Sequence, residues 1–423
     1  MSTACPIFIH VGFTNTGTTS LQRNFFATRR DIFYAGEPYG ERGGIFTAIK
    51  SVEDFKLDVA LIEKQCEELI YAPSGGRPIV ISDESLGDTP QLYFGSYVVP
   101  RDTIALRLHR FFPSAKIIIT IRDQRHYAMS AYFNLKRNTA FFDGIAVPCF
   151  SSWLGGVLSR DRCHFMQNLN FSEMVSLYAA LFGRENICVL PLEMLVVDGA
   201  ETYLRKLCAF LGVSFSEGDV ANYVEIHNRR MSRRRELVAE LLPDARFAEF
   251  FGDLTVRLGR EQFDAFLDEG PRATVNLSAE DEQAIRRRVG IGNWLVAHEL
   301  GLDLARYEYP LASDDDLTEQ QLGAAKEELA YREDIGRLHR CDNGKELVAA
   351  REVGEIARLR ELTVELATVR QSPVWRMVER LDRVRRMLVR GKAGQSQREQ
   401  KTPAALQSPL IWQQHPGSSL HNS

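Results

Sequence analysis

Cysteine is sparse and unpatterned in this chain of 423 residues: Cys5, Cys66, Cys149, Cys163, Cys188, Cys208 and Cys341 are odd in number and form no CxxC or Cys/His spacing. That argues against a disulfide framework and a zinc site, and leaves the thiols to a core in a reducing compartment. A one-sided charge is missing too. Lys and Arg total 52 against 56 Asp and Glu, a net charge of -4, so there is no global basic field for nucleic acid and any anion site must be local. No apolar run reaches the roughly 18 residues of a membrane span. The start MSTACPIFIHVGF lacks the basic, apolar and small-residue zones of a secretory signal, so a cytoplasmic protein is expected. With 44% hydrophobic and 26% charged residues the chain is of ordinary globular composition.

What is present is an alternation. Residues 7–12 (IFIHVG), 79–82, 116–121 (KIIITI) and 187–191 are short apolar or β-branched runs. Helical stretches at 20–29, 55–70, 103–112, 128–135, 171–182 and 200–211 separate them, and a further helix is expected at 278–300. Strands apolar on both faces and alternating with helices predict an α/β fold, a parallel sheet covered by helices. This domain is expected to span 1–312. Acidic residues 313–316 then form a linker. Residues 317–390, rich in Glu, Arg, Leu and Ala, predict a helical extension with a short coiled coil or hairpin, since Leu359, Leu362, Leu366 and Val369 keep 3/4 spacing for only about two heptads. Residues 376–401 hold nine Lys/Arg against three Asp/Glu, with Met377, Leu381, Val384 and Leu388 at helical spacing. Such a basic amphipathic helix suits packing on a partner helix, self-association, or peripheral contact with a membrane surface. The tail 391–423 lacks apolar periodicity, a composition that predicts disorder.

The strongest local signal is GFTNTGTTSLQ, residues 12–22, between a predicted strand and a predicted helix. It is a GxxxxG followed by Thr18, Thr19 and Ser20, the pattern of a loop whose amides converge on a phosphate at a helix start. The bland alternative is a tight β-to-α turn with a hydroxyl cap. A second constellation is IRDQRHYAMSAY, residues 121–132. Arg122 leaves a strand end, and Ser130 follows eight residues later, about two helical turns on, so both are expected to grip a second phosphate.

Together these stretches resemble the cofactor site of sulfotransferases that use 3'-phosphoadenosine 5'-phosphosulfate (PAPS), and Gln124 and Tyr132 match a bacterial branch of that family. The resemblance runs over about residues 7–310, including SDES at 82–85, LPLEML at 190–195 and YEYP at 307–310. It implies a three-layer, P-loop-like parallel sheet. It also implies that Asn15, Thr16, Gly17, Thr18, Thr19 and Ser20 hold the 5'-phosphosulfate while Arg122 and Ser130 take the 3'-phosphate. The sulfuryl group would pass to a hydroxyl acceptor without a metal. A weaker likeness of the segment SPVWRMVERLDRVRRML to tails of bacterial cell-surface glycan enzymes points to a carbohydrate or glycoconjugate acceptor.

One departure stands out. The family's loop usually reads PKTGTT, and this chain has TNTGTT, with Asn15 in the lysine's place. Asn15 donates a hydrogen bond but carries no charge. Either another cation substitutes, with Arg23, Lys136, Arg137 or residues 227–230 as candidates, or the protein is a weak enzyme or a nucleotide-binding scaffold. A P-loop kinase is less favoured because the loop lacks its lysine. For the acceptor proton the first choice is Glu84, at the end of a predicted strand and in the family's SxE context; its alternative is a helix-capping carboxylate. His10 is expected to be a satisfied core histidine, and the basic run 229–236 either a solvated helix face or a phosphate or glycan contact. Residues 141–161 are expected to be variable loop around the acceptor.

Overall fold

The computed structural model describes residues 5–36, 44–53, 56–87, 99–138, 146–159, 164–223, 231–313, 317–318 and 323. All of them fall in one unit, Met1–Gly344. The expectations for the tail beyond residue 323 lie outside the described residues.

Five parallel strands form one sheet in the order β2-β3-β1-β4-β5: β1 (Ile7–His10), β2 (Phe33–Tyr34), β3 (Ile79–Ser82), β4 (Lys116–Ile121) and β5 (Ile187–Pro191). β1 sits in the centre, Ile9 pairing with Ile81 on one side and Ile117 on the other. Every residue of β1, β3 and β5 is buried, as a sheet covered on both faces requires. Alternate strand residues divide between two cores. Ile7, Ile9, Ile79, Ile81, Ile117, Ile119 and Ile121 pack with α4 (Arg101–Phe111) and α6 (Phe171–Phe182). Phe8, Val80, Ile118, Cys188 and Leu190 pack on the other face, with Leu21 and Phe25 after α1 (Thr18–Ser20) and with Tyr203, Leu204 and Leu207 of α7 (Gly199–Leu211). The period-2 alternation of strand side chains thus builds three layers, as the sequence pattern predicts.

Two expected elements differ. The helix after the first loop is a short α-helical turn that widens over Leu21–Phe25 and tightens over Phe26–Thr28. The expected acceptor loop contains, in its described part, the helix Phe150–Leu158 after an irregular lead-in, and the Phe150 and Trp153 rings pack on Tyr132. Among the described residues no helix is long and apolar enough to cross a membrane.

Beneath the first loop lies a buried polar chain. His10 Nδ1 meets Ser82 Oγ at 2.8 Å and its Nε2 meets Thr120 Oγ1 at 3.2 Å; Gln22 Nε2 donates to Ser82 Oγ at 3.2 Å, and Thr120 Oγ1 meets Thr16 Oγ1 at 2.6 Å. Full burial depresses the His10 pKa to about 3. His10 is therefore the satisfied core histidine expected, held neutral. The folded form does not take the proton that the unfolded chain takes below about pH 6.5, so stability falls as pH drops from there toward 3, at up to about 1.4 kcal/mol per unit. Urea unfolding between pH 7 and 4 is expected to show a steeper loss for the wild type than for His10→Gln; equal slopes would overturn this account.

Candidate active site

β1 leads toward β2 while β4 leads toward β5, so the chain leaves the carboxyl ends of these neighbouring strands in opposite directions, the position at which open α/β sheets bind ligands. Main-chain hydrogen bonds carry the β1–β4 pairing past the strand ends: Phe13 N donates to Thr120 O at 3.0 Å and Thr120 N to Gly12 O at 2.9 Å. The loop 12–17 is thereby held beside Arg122. Gly17, at φ 84, turns the chain into α1, and a Cβ there would come within 2.8 Å of Leu192 Cδ1. Ser20 N and Leu21 N donate back to Gly17 O.

The loop residues divide by direction. Thr16 is fully buried, its hydroxyl bonded to Phe13 O and Thr120, so what it has to offer an anion is its main-chain N–H. The buried Thr18 donates its hydroxyl to Glu84 Oε2, which brings the expected base against the expected phosphate loop across 66 residues. Asn15, Thr19 and Ser20 are half-buried at the rim.

Arg122 and Ser130 come to the same loop. Arg122 Nη1 donates to Asn15 O at 2.9 Å, and Ser130 Oγ donates to Asn15 Oδ1 at 3.3 Å. Ser130 lies on α5 (Gln124–Asn138). One turn further, Asn134 Nδ2 donates to Asn15 Oδ1 at 2.6 Å; sequence reading missed this residue, although the i,i+4 spacing from Ser130 places both on one helix face.

Glu84 opens a short turn after β3. Asp83 caps it, accepting from Ser85 N at 2.9 Å, and Lys50 Nζ, on α2 (Ile45–Ser51), reaches Asp83 Oδ2 at 2.6 Å and Ser85 Oγ at 2.8 Å. Lys50 was also missed, because nothing in the sequence links it to SDES. Together these bonds brace both neighbours of Glu84.

The other candidates have different partners. Lys136 is buried, with Nζ at 3.1 Å from Glu236 and 2.8 Å from Glu240 on α8 (Arg233–Leu241); this pairing ties two helices together and removes Lys136 as the substitute cation. Arg23 is exposed, and residues 227–230 lie outside the described ones. In the basic run, Arg233 pairs with Glu236, Arg234 with Glu269, and Arg235, its side chain largely buried, with Asp264 and Asp268; its described arginines are engaged by acidic partners of the protein itself. Gln124 makes a two-way amide pair with Asn293 at 2.7 and 3.0 Å, joining two helices, and Tyr132 donates to Pro148 O at 2.9 Å, holding the segment that leads into the helix Phe150–Leu158. His126 is exposed, 3.9 Å from Glu193. Glu193 also accepts from Tyr309 at 2.7 Å. Burial works to raise its pKa, but the bonds from His126 and Tyr309 outweigh it and hold the carboxyl below its ordinary range. Among the described residues there is no cluster suited to a metal ion.

Residues 103–217 match the profile described as "Sulfotransferase family". This part of the chain is similar to the sulfotransferases. The matched sulfotransferase segment runs from α4 through β4, Arg122, Ser130 and β5 to just beyond α7; the loop 12–20 and Glu84 precede it. Solved structures similar to this chain include three sulfotransferases. A sulfotransferase from Alicyclobacillus acidocaldarius is 21% identical, with 59% of this chain and 96% of that one covered and a TM-score of 0.35. A mouse sulfotransferase complexed with PAP is 11% identical, covering 79% and 87% at a TM-score of 0.31. The sulfotransferase domain from the curacin biosynthetic pathway is 15% identical, covering 74% and 100% at a TM-score of 0.32. No curated protein matches the chain.

Proposed function

We propose that this sulfotransferase moves the sulfuryl group of PAPS to a hydroxyl on a carbohydrate or glycoconjugate, in the cytoplasm. The observation that carries the reading is the meeting of three sequence-distant groups at the carboxyl ends of β1, β3 and β4. Arg122 and Ser130 both bond Asn15, and Glu84 bonds Thr18 of the same loop. PAPS, as co-substrate, supplies an activated sulfuryl group. The loop amides, Thr19 and Ser20 suit its 5'-phosphosulfate, and the forked guanidinium of Arg122 with the Ser130 hydroxyl suits the 3'-phosphate. Glu84 takes the proton of the acceptor hydroxyl as its oxygen attacks sulfur in line with the departing 5'-phosphate oxygen.

The bisphosphate product of PAPS, PAP, tests the nucleotide half. At a concentration a hundredfold above Kd it is expected to stabilise the fold by about 2.7 kcal/mol, ADP by less. Arg122→Ala and Ser130→Ala are expected to weaken PAP far more than ADP; equal losses for the two ligands would mean that the second phosphate lies elsewhere. Incubation with sulfur-labelled PAPS and a panel of glycan, lipid and small hydroxyl acceptors tests the chemistry. A second reading, a nucleotide-binding scaffold without transfer, is favoured by the uncharged Asn15 alone, and binding without any labelled product would establish it.

A further inference from the structure

The amide of Asn15 has a polarity that can be traced to a single obligatory donor. A guanidinium only donates, so the Asn134 atom that Arg137 Nη2 meets at 3.2 Å is the side-chain oxygen. The other arm of Asn134 is then its NH2, and the Asn15 atom that it meets at 2.6 Å must be an acceptor, Oδ1. Ser130 gives a second donor to that same oxygen, at 3.3 Å. With Oδ1 turned to α5 by two donors, the Asn15 NH2 is the arm turned away from that helix, and it has no partner among the described residues. The backbone agrees with this choice of residue: Asn15 sits at φ 62, a left-handed conformation that asparagine adopts more readily than lysine.

We infer that Asn134, backed by Arg137, is a positioning residue that locks the Asn15 amide with its NH2 toward the anion held by the loop. The loop then presents a fixed neutral donor where the resembling family carries a lysine. The charge of Arg137 polarises that donor through one intervening amide, and Lys136 plays no part. This inference rests on the loop being the anion seat proposed above.

Inorganic pyrophosphate, a minimal double anion, tests it by calorimetry on the full chain, in a cycle of wild type, Asn134→Asp, Asn15→Ala and the double variant. Aspartate at 134 only accepts, so it draws the Asn15 NH2 toward itself and turns Oδ1 to the anion. The expected loss of pyrophosphate affinity is about tenfold or more beyond the loss that Asn134→Asp causes in the Asn15→Ala background, where only the added charge acts. Equal losses in the two backgrounds overturn the relay and leave the anion seat standing. A wild type that binds neither pyrophosphate nor PAP overturns the seat, and the proposed function with it. Unfolding midpoints check that each variant folds; if Asn134→Asp does not, the neutral Asn134→Leu is taken through the same cycle and must show the same dependence on Asn15.

Discussion

Glu84→Gln is expected to lower sulfuryl transfer by about 10²- to 10⁴-fold, the range for removing a positioned general base, while PAP affinity and the unfolding midpoint stay unchanged. The geometry explains why binding is spared. Glutamine keeps a side-chain oxygen to accept from Thr18, as Glu84 Oε2 does. The bonds that hold the turn come from Lys50, Asp83 and Ser85 rather than from the carboxylate. What the variant loses is the ability to take a proton. Turnover of labelled PAPS and calorimetry with PAP are read on the same preparation. Turnover within about fivefold of wild type would remove Glu84 as the base, since a base contributes far more than that. A matching loss of PAP binding would instead make it part of the nucleotide seat.

The sheet was legible because β1, β3, β4 and the edge strand β5 are almost wholly buried and are therefore written as nearly unbroken apolar runs; all four fall within or on the expected stretches. β2 has two residues and no periodicity to find. The helix Phe150–Leu158 contains Gly155 and Gly156, which read as loop residues locally; the aromatic packing of Phe150 and Trp153 on Tyr132 overrides that preference. Ala245–Leu258 was readable and was missed: Phe247, Phe250, Phe251, Leu254 and Leu258 follow helical spacing.

At the site, what could be read were the residues whose type and position follow a local pattern: the glycine and hydroxyl loop, Arg122 with Ser130, and SDES. Hydrogen bonds between distant segments could not be read. The contact between Asn15 and Asn134 spans 119 residues and that between Lys50 and Asp83 spans 33; no periodicity relates such pairs. The sequence shows that residue 15 carries no charge. Only the packing of α5 against the loop shows what holds its amide.

Gly12→Ala is the substitution expected to harm fold and site together. Gly12 sits at φ 99, and a Cβ placed there would lie 2.8 Å from Glu84 O and 3.0 Å from Glu84 Cα, both backbone atoms that cannot swing aside like a side chain. Gly212, the C-cap of α7 at φ 69, has nothing within 4 Å of its Cβ position, so Gly212→Ala carries only the backbone cost of placing an L-residue in the left-handed region, about 1 kcal/mol. Gly12→Ala adds to that the cost of overpacking, typically about 1–3 kcal/mol. The sum, about 2–4 kcal/mol, corresponds for a domain of this size to a fall in melting temperature of roughly 3–6 °C, against about 1–2 °C for Gly212→Ala. Because the obstructed backbone is that of Glu84, the Gly12 variant must widen the gap between the loop and the base. Transfer measured well below the melting point is therefore expected to fall by about tenfold or more even in folded protein, in line with the sensitivity of in-line chemistry to misplacements of about 1 Å. Gly212→Ala is expected to transfer normally under the same conditions. Equal melting points for the two variants would mean that the loop and the Glu84 turn are not in contact, and the placement of the base would fall with that contact.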